Sequence, residues 1–482
     1  MSLSKKTELS SIPWFTVGMA LVLLLSLALH FWDLDRFNTL VFDEVYYVKY
    51  ANNYLTRTPF FDAHPPLGKY AIALAISIGS YFGGGDEINN LGGVSFSPWT
   101  YRWLNALIGS VLPLVVGAIA YHLTHRRSYA LIAALFATLD GLLLVESRYA
   151  LINIYLVFFG LLGHWFFLLA LEHIGKKRWF WLALSGISLG CCISVKWNGL
   201  GFLSGIYLIW IFAWVIEFLP KNNHPWLPLQ KLTQIKLYHL VANLAILPAI
   251  VYYLIWIPHL QINRTTGFLE LHQQILGFHR GLASGPSVHP YCSSWYTWPW
   301  MVRPMSYFYE TTRTISEPVP SFGPSLPAGA GKIVYDVHAM GNPFLWWFST
   351  AAIIILLIEL SKRIWLVFKT SETPYNYNFF HSPTFWISFY LLVNYGANFL
   401  PWIKVTRCTF IYLYMAAAVF GFMSLALLVD RWLISPNIEF RAIGVTAIFL
   451  IVFAFVVWLP VYLGLPLSTE GFAARMWLRS WY

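Results

Sequence analysis

Long apolar stretches recur along the whole chain, separated by short polar segments that carry most of the basic residues. A helix needs about 20 predominantly apolar residues to cross the hydrocarbon core of a membrane. The pattern therefore predicts about eleven transmembrane helices. They lie near residues 13–32, 101–122, 128–145, 149–171, 179–195, 200–219, 238–257, 343–361, 384–402, 408–429 and 443–463.

One further segment, from Pro66 to Phe82, is apolar but short, and a run of glycines follows it. If this segment crossed the membrane, the basic loops after it would lie outside, against the positive-inside tendency. We therefore expect an interfacial helix here, with the N-terminus in the cytoplasm. The loops then assigned to the cytoplasm carry Lys5 and Lys6, Arg126 and Arg127, Lys176 to Arg178, Lys221 with Lys231 and Lys236, Lys362 with Arg363 and Lys369, and Arg431 with Arg441.

Two long loops then face the outside, residues 33–100 and residues 258–342. The second loop is rich in glycine, proline and aromatic residues, which favours an ordered irregular lid over a polar linker. The sequence contains no repeats, heptads or separate soluble domain, so residues 1–482 are expected to form a single, all-α transmembrane domain.

The composition agrees with a polytopic membrane protein. Hydrophobic residues make up 58% of the 482 and charged residues only 11%, against roughly 25% charged in soluble domains. The net charge of +10 comes from basic residues spread over short loops, which indicates topology and not nucleic-acid binding. No small-residue cleavage site follows the first apolar stretch, so no cleavable signal peptide is expected. The four cysteines, Cys191, Cys192, Cys292 and Cys408, predict no disulfide framework.

Two adjacent carboxylates, Asp43 and Glu44, follow the first predicted span in an otherwise apolar and aromatic segment. Carboxylate basicity is tunable at the edge of a membrane, where water is scarce, so the pair points to chemistry on a lipid-borne substrate. Further on, two prolines start the interfacial helix and place His64 and Lys69 at the level of the lipid headgroups. The alternative is that the acidic pair only caps a short helix and that His64 snorkels.

The acidic pair, followed by the run His64-Pro65-Pro66-Leu67-Gly68-Lys69, resembles the protein O-mannosyltransferase family, whose members are GT-C membrane glycosyltransferases. Further motifs extend the resemblance over most of the chain: Tyr101 to Ala106, Glu146 to Asn153, Gly186 to Leu200, His289-Pro290-Tyr291, Gly341 to Trp347, and Leu400 to Trp402 with Arg407. Two positions depart from the family pattern. Asn153 stands where the family has an aspartate, and Leu413-Tyr414 replaces a histidine-bearing stretch, so neither site is given a role.

The resemblance implies an inverting transfer of mannose from polyprenyl-phosphate-mannose to Ser or Thr hydroxyls of an acceptor polypeptide, on the outer face of the membrane. The loop of residues 258–342 is too short for the MIR domain of eukaryotic members, which implies a bacterial-type enzyme in the plasma membrane. The resemblance assigns the general base to Asp43, and Glu44 is expected to orient Asp43 or the acceptor and to raise the basicity of Asp43.

The leaving phosphate of such a donor needs cations near it. The candidates at the outer ends of predicted spans are Arg102, Arg148, Lys196, Lys404 and Arg407. The sequence does not separate phosphate ligands among them from side chains that snorkel or that pair with a carboxylate such as Glu146. Further substrate contacts are expected from His64, Lys69, Asn198 and His289. The donor is already activated and no metal-like ligand spacing is present, so no metal or other cofactor is expected.

Two other functions remain open from the sequence. Another GT-C transferase, with a different sugar or with a lipid or asparagine acceptor, would keep the same fold. A transporter would line its pathway with Asp43, Arg148 and Lys196, and it predicts inverted repeats and charges near mid-span. The charges cluster instead at the outer ends of the predicted spans, which favours the transferase.

Overall fold

A computed structural model describes residues 13–82, 96–217, 228–285, 287–319, 326–327, 329–369 and 382–482. Of the basic residues used to orient the chain, Lys5, Lys6 and Lys221 lie outside this range. The helices are α1 (Trp14–Phe31), α2 (Glu44–Thr56), α3 (Leu67–Gly79), α4 (Pro98–Thr124), α5 (Arg127–Thr138), α6 (Gly141–Arg148), α7 (Asn153–Glu172), α8 (Gly175–Val195), α9 (Leu200–Glu217), α10 (Leu237–Leu240), α11 (Leu247–Ile262), α12 (Phe268–Gly281), α13 (Pro343–Lys369), α14 (Pro383–Phe399), α15 (Met415–Leu433), α16 (Ile438–Leu463) and α17 (Thr469–Ala473).

Within the described residues, nine helical segments are long and apolar enough to cross a membrane. Helices α5 and α6 together form a tenth candidate that is bent by 58°. The remaining predicted span corresponds to α14, which has only 17 residues. Each of the eleven predicted spans therefore coincides with helix, although the number that cross the membrane stays a prediction. The segment predicted to lie at the interface forms the 13-residue helix α3.

The bend between α5 and α6 has a local cause at Asp140. Its side chain accepts a hydrogen bond from the backbone N–H of Leu143 at 2.8 Å and so caps a new helix. The other carboxylate oxygen accepts from the indole N–H of Trp346 at 2.7 Å. Because an N-cap residue leaves helical geometry, the span breaks here and α6 takes a new direction.

The core of the bundle is built around α15, nearly all of which is buried. Helices α5, α13, α14 and α16 pack against it. The other half of the bundle is formed mainly by α1, α4, α7 and α8. Helix α5 links the two halves, because it packs on α15 and also on α1 and α4.

The outer loop of residues 258–342 is more regular than the predicted irregular lid. Besides α12 it contains strands β1 (Met305–Thr312) and β2 (Ile333–Ala339), which pair antiparallel with Met305 opposite Ala339. The short strand β3 (Leu467–Ser468) adds to the free edge of β2. The sequence does not reveal β3, because its partner lies far away in the chain. Strand β2 packs on α6 and α16, which joins the sheet to the helix bundle.

The prediction that the cysteines form no disulfide is wrong. Cys292 and Cys408 are bonded, across a sequence separation of 116 residues. Two hydrogen bonds flank the bridge, from Ser293 N to Thr409 O at 2.9 Å and from Thr409 Oγ1 to Ser293 O at 2.6 Å. The bridge therefore fastens the outer loop to the segment that follows α14. Cys191 and Cys192 are free, as expected.

Candidate active site

A cavity of about 560 Å³ lies where the segment before α3, the turn between α8 and α9, helix α12 and the segment after α14 meet. Four of the predicted site residues line it: His64, Lys196, Asn198 and Arg407. Apolar and aromatic side chains form much of the remaining wall, among them Trp197, Phe278 and Trp402. Concave sites of this kind, largely apolar with a few convergent polar groups, are typical of small-ligand sites.

Asp43 lies immediately before α2, and its side chain does not cap that helix. Burial raises the pKa of the Asp43 carboxyl from 3.8 to about 6, an effect that the positive charge of Lys196 opposes and the negative charge of Asp62 increases. Such a group is ionised at neutral pH but more basic than an ordinary aspartate, which suits a general base. Asp43 does not itself line the cavity, but its charge interacts with that of the cavity residue Lys196.

Glu44 has a different environment although it is the next residue. Its carboxylate is completely buried and accepts hydrogen bonds from the backbone N–H groups of Val41 and Ala150, both at 2.8 Å. It also forms an ion pair with Arg102. Glu44 does not line the cavity, and its carboxylate oxygens are occupied by these groups. It holds together the segment before α2, helix α4 and the end of α6.

Arg102 and Arg148 are both buried and most of their donors are used within the protein, although Nε of Arg148 has no hydrogen-bond partner among the described residues. The Arg102 guanidinium donates to Glu44 through Nε and Nη2 and to the carbonyls of Leu34, Phe37 and Thr39 through Nη1 and Nη2. Arg148 donates to the carbonyls of Leu29, His30 and Asp33. Neither lines the cavity. The structure therefore does not bring these two predicted phosphate ligands to the site.

Lys404 is exposed and is likewise absent from the cavity wall. Lys196 and Arg407 behave differently, since both line the cavity and keep donors unused among the described residues. The Lys196 ammonium donates to Asn153 Oδ1 at 2.8 Å and lies 5.1 Å from the ring centre of Tyr412. Arg407 donates through Nη1 to the carbonyl of Cys408 at 3.0 Å. Lys196 and Arg407 are the predicted cations that the structure brings to one site.

Lys69 does not line the cavity, but its hydrogen bonds to backbone carbonyls position a residue that does. Its buried ammonium forms an ion pair with Asp62 and donates to the carbonyls of His64 and Pro65, both at 2.7 Å. All three N–H donors are therefore used. Lys69 fixes the turn that presents His64 to the cavity, and it has no donor left for a substrate.

His64 lines the cavity, and its pKa is held well below the usual value by burial and by the charges of Lys196 and Lys69. Its imidazole is therefore neutral at pH 7. His289 lies elsewhere: its Nδ1 accepts from the backbone N–H of Tyr291 at 3.2 Å, its ring contacts Phe410, and it does not line the cavity. Asn198 lines the cavity from the turn that joins α8 to α9.

Comparison with known proteins identifies the family of the chain. Residues 20–263 match the family of dolichyl-phosphate-mannose-protein mannosyltransferases, and residues 264–481 match the C-terminal four-transmembrane region of protein O-mannosyltransferases. The chain belongs to the protein O-mannosyltransferase family.

Family members with curated names match over most of their length. The polyprenol-phosphate-mannose–protein mannosyltransferase of Corynebacterium glutamicum is 25% identical over 476 residues, which covers 87% of this chain and 81% of that protein. The protein of the same name in Mycobacterium tuberculosis is 23% identical and covers 97% and 92%. The yeast Pmt1-Pmt2 complex bound to the sugar donor superposes with a TM-score of 0.77 over 98% of this chain and 93% of that chain, at 15% identity. This likeness in fold confirms the predicted GT-C class.

Several residues that line the cavity of this family member were not predicted from the sequence, and His279 is one of them. His279 of α12 lines the cavity, and its ring lies 5.5 Å from that of His64. The spacing of His272, Ile275 and His279, three or four residues apart, was a usable signal, because such positions share one face of a helix. Its Nε2 donates to the carbonyl of Ala63 at 2.9 Å. Burial lowers the pKa of His279, and the charge of Arg407 adds to this effect.

Within the described residues, no group of three or more His, Cys, Asp and Glu side chains is arranged to hold a metal ion. The family member therefore offers no candidate metal centre in this part of the chain. That its reaction needs no metal or other cofactor stays a prediction, based on the activated state of a sugar phosphate donor.

Proposed function

We propose that this protein transfers mannose from polyprenyl-phosphate-mannose to Ser and Thr hydroxyls of an acceptor polypeptide. The observation that carries the proposal is that Asp43, a partly buried carboxylate with a raised pKa, interacts electrostatically with Lys196, which together with Arg407 keeps donors free at one cavity. A reaction that removes a proton from a hydroxyl and expels a phosphate needs both groups. The curated bacterial relatives carry the name of this activity.

In the proposed step, Asp43 accepts the proton of the acceptor hydroxyl as its oxygen attacks the anomeric carbon of mannose. A new carbon–oxygen bond forms to the acceptor, and the bond between the anomeric carbon and the phosphate oxygen breaks. The electron pair of that bond leaves with the polyprenyl phosphate. A single displacement of this kind inverts the anomeric configuration, as expected for a site with one base and no second carboxylate serving as nucleophile.

Lys196 and Arg407 are proposed to stabilise the negative charge on the departing phosphate. Arginine offers a planar fork of donors and lysine a compact charge, and both bind phosphate oxygens in proteins. His64 and Asn198 are proposed to contact the substrates. Because burial keeps His64 neutral, it suits a hydroxyl group better than a phosphate.

The protein is an integral membrane protein, and we propose that its site lies on the outer face of a bacterial plasma membrane. The Cys292–Cys408 disulfide supports this orientation, because disulfides persist outside the reducing cytosol and this one adjoins the cavity residue Arg407. Helix α4 starts near the site and ends next to the basic residues Arg126 and Arg127. Basic ends of this kind favour the cytoplasmic side, and the N-terminus would then be cytoplasmic.

The test is transfer by the purified protein in lipid nanodiscs, with a synthetic polyprenyl-phosphate-mannose and a peptide that carries Ser and Thr. Mass spectrometry should detect one added hexose on the peptide, and the same peptide with alanine at those positions should stay unmodified. Asp43→Asn should abolish most of the product. Transfer at the wild-type rate by this variant would refute the role of Asp43, and a hexose found only on lipid would indicate the alternative GT-C transferase.

A further inference from the structure

A chain of hydrogen bonds connects the outer sheet to the cavity cation Lys196. The hydroxyl of Tyr307, in β1, donates to Oε1 of Glu146. The other carboxylate oxygen, Oε2, accepts from Nδ2 of Asn153 at 3.0 Å. Oδ1 of Asn153 then accepts from the Lys196 ammonium at 2.8 Å. Glu146 and Asn153 are buried, so water does not compete for these contacts.

The chemistry of its two neighbours fixes the orientation of the Asn153 amide. A carboxylate can only accept hydrogen bonds, and an ammonium group can only donate them. The amide must therefore turn its NH₂ toward Glu146 and its oxygen toward Lys196. A leucine or alanine at this position would provide neither contact, and an aspartate would provide only the second.

The amide also separates two charges that would otherwise meet. Among the described residues Lys196 forms no ion pair, and its one hydrogen bond goes to a neutral group. A direct contact between Lys196 and a carboxylate would use the same donor but would also neutralise much of the positive charge. With a neutral partner, the ammonium keeps its charge for an anionic ligand in the cavity.

Aromatic contacts connect the same chain of residues to the segment that carries Asp43. The ring of Tyr307 stacks on Phe42 with the ring centres 4.1 Å apart and an interplanar angle of 9°. Phe42 directly precedes Asp43 and also contacts Tyr412, the ring that lies beside the Lys196 ammonium. Tyr307 thus touches the segment that carries the base and also, through Glu146 and Asn153, the group that holds the cation.

We propose that Asn153 is a positioning residue that holds the Lys196 ammonium at the cavity wall and leaves its positive charge available for the carrier phosphate. Glu146 and Tyr307 fix the direction in which the Asn153 amide points. This inference rests on the proposed function, since it takes the phosphate of a polyprenyl phosphate as the ligand of Lys196.

The test measures the binding of polyprenyl phosphate, without sugar, to the purified protein in nanodiscs. Asn153→Asp places a carboxylate against Lys196 but also against Glu146, which threatens folding. The double variant Asn153→Asp with Glu146→Gln avoids that contact, because the glutamine NH₂ donates to the new aspartate while its oxygen still accepts from Tyr307. The complete chain of hydrogen bonds is thereby kept, and the negative charge moves from position 146 to position 153, where it contacts Lys196.

We expect the double variant to bind polyprenyl phosphate about tenfold or more weakly, the loss typical of one charge-assisted hydrogen bond. Its KM for the donor should rise, while its KM for the acceptor peptide stays unchanged. The matched control is Glu172→Gln at the opposite end of α7, where the carboxylate contacts His122. That variant should bind with the wild-type affinity.

A folded double variant with the wild-type affinity would overturn the proposal, and so would a failure of the wild-type protein to bind polyprenyl phosphate. The proposed function fails in a different way. If polyprenyl phosphate binds with the expected order of affinities but no mannose is transferred to the peptide, the role of Asn153 stands and the assigned reaction does not.

Discussion

The carboxylate of Glu44 and the guanidinium of Arg102 form a two-pronged ion pair, with Nε to Oε1 at 2.9 Å and Nη2 to Oε2 at 2.8 Å. Both side chains are completely buried. The adjacent acidic residues Asp43 and Glu44 therefore have separate tasks. Glu44 stabilises the segment that carries Asp43, whereas Asp43 forms no ion pair among the described residues.

The first prediction concerns the stability contributed by this pair. Glu44→Gln leaves the Arg102 charge buried without its counter-ion, which typically costs about 3–5 kcal/mol. We expect a large loss in the free energy of unfolding, measured by denaturant titration of the purified protein in detergent. Asp43→Asn is the matched control, because it should change stability little while it removes activity. Equal stability of the two variants would contradict the structural role of Glu44.

The second prediction is the pH dependence of the reaction. A general base must be ionised, and the pKa of the Asp43 carboxyl is raised to about 6, chiefly by burial. The value of kcat/KM should therefore be constant above that pH and should fall below it, approaching tenfold per pH unit. Asp43→Asn should lower the rate by about 10² to 10⁴ and should remove this inflection. A residual activity with the same inflection would assign the titration to another group.

The sequence predicted the spans because an apolar run of sufficient length has few other stable structures in a membrane. It also singled out Lys196 and Arg407, which line the cavity, and Asp43, whose role as the base stays a prediction. The sequence did not show that Arg102 and Arg148 form their hydrogen bonds within the protein, and it grouped them with the candidate phosphate ligands. The difference lies in contacts such as Arg102 with Glu44 and Glu44 with Ala150, across 58 and 106 residues. No local pattern in a single chain records such contacts.

The disulfide and His279 were missed for related reasons. A bond between Cys292 and Cys408 depends on how the loop of residues 258–342 meets the segment after α14, and cysteine spacing carries no information on that meeting. To predict His279 as a cavity residue, one must know that α12 lies over the segment of residues 63–65. The periodicity of α12 was visible in the sequence, but the surface on which it lies was not.

The third prediction separates two neighbouring cations that the sequence treated alike. Arg407 lines the cavity with unused donors, whereas Lys404 is exposed and does not line it. Arg407→Ala should raise the KM for the donor roughly ten- to hundredfold, the loss expected for a charge-assisted hydrogen bond to phosphate. Lys404→Ala should have the smaller effect in the same steady-state assay. The reverse order would move the phosphate site away from the cavity.

The fourth prediction concerns the disulfide between Cys292 and Cys408. Removing a native bridge typically costs about 2–4 kcal/mol of stability, and this one also restrains the residue next to Arg407. Cys292→Ser should lower the midpoint of thermal unfolding and raise the KM for the donor. A reducing agent that breaks the disulfide of the wild-type protein should likewise lower the midpoint of thermal unfolding and raise the KM for the donor. Cys191→Ser, at a free cysteine of α8, should change neither quantity, and an equal response of the two variants would exclude the restraint.

The fifth prediction tests how α12 is held over the cavity. His279 Nε2 donates to the carbonyl of Ala63 at 2.9 Å, so the imidazole links α12 to the segment that presents His64. His279→Gln can keep this contact, because the glutamine NH₂ lies near the position of Nε2, whereas His279→Ala cannot. Hydrogen exchange of residues 268–281 should therefore be faster in His279→Ala than in the wild type, and the rate of mannose transfer should fall. His279→Gln should restore the protection of α12. Equal exchange in all three proteins would show that the apolar side chains of α12 alone hold it in place, and His279 would then be confined to a contact with the substrate.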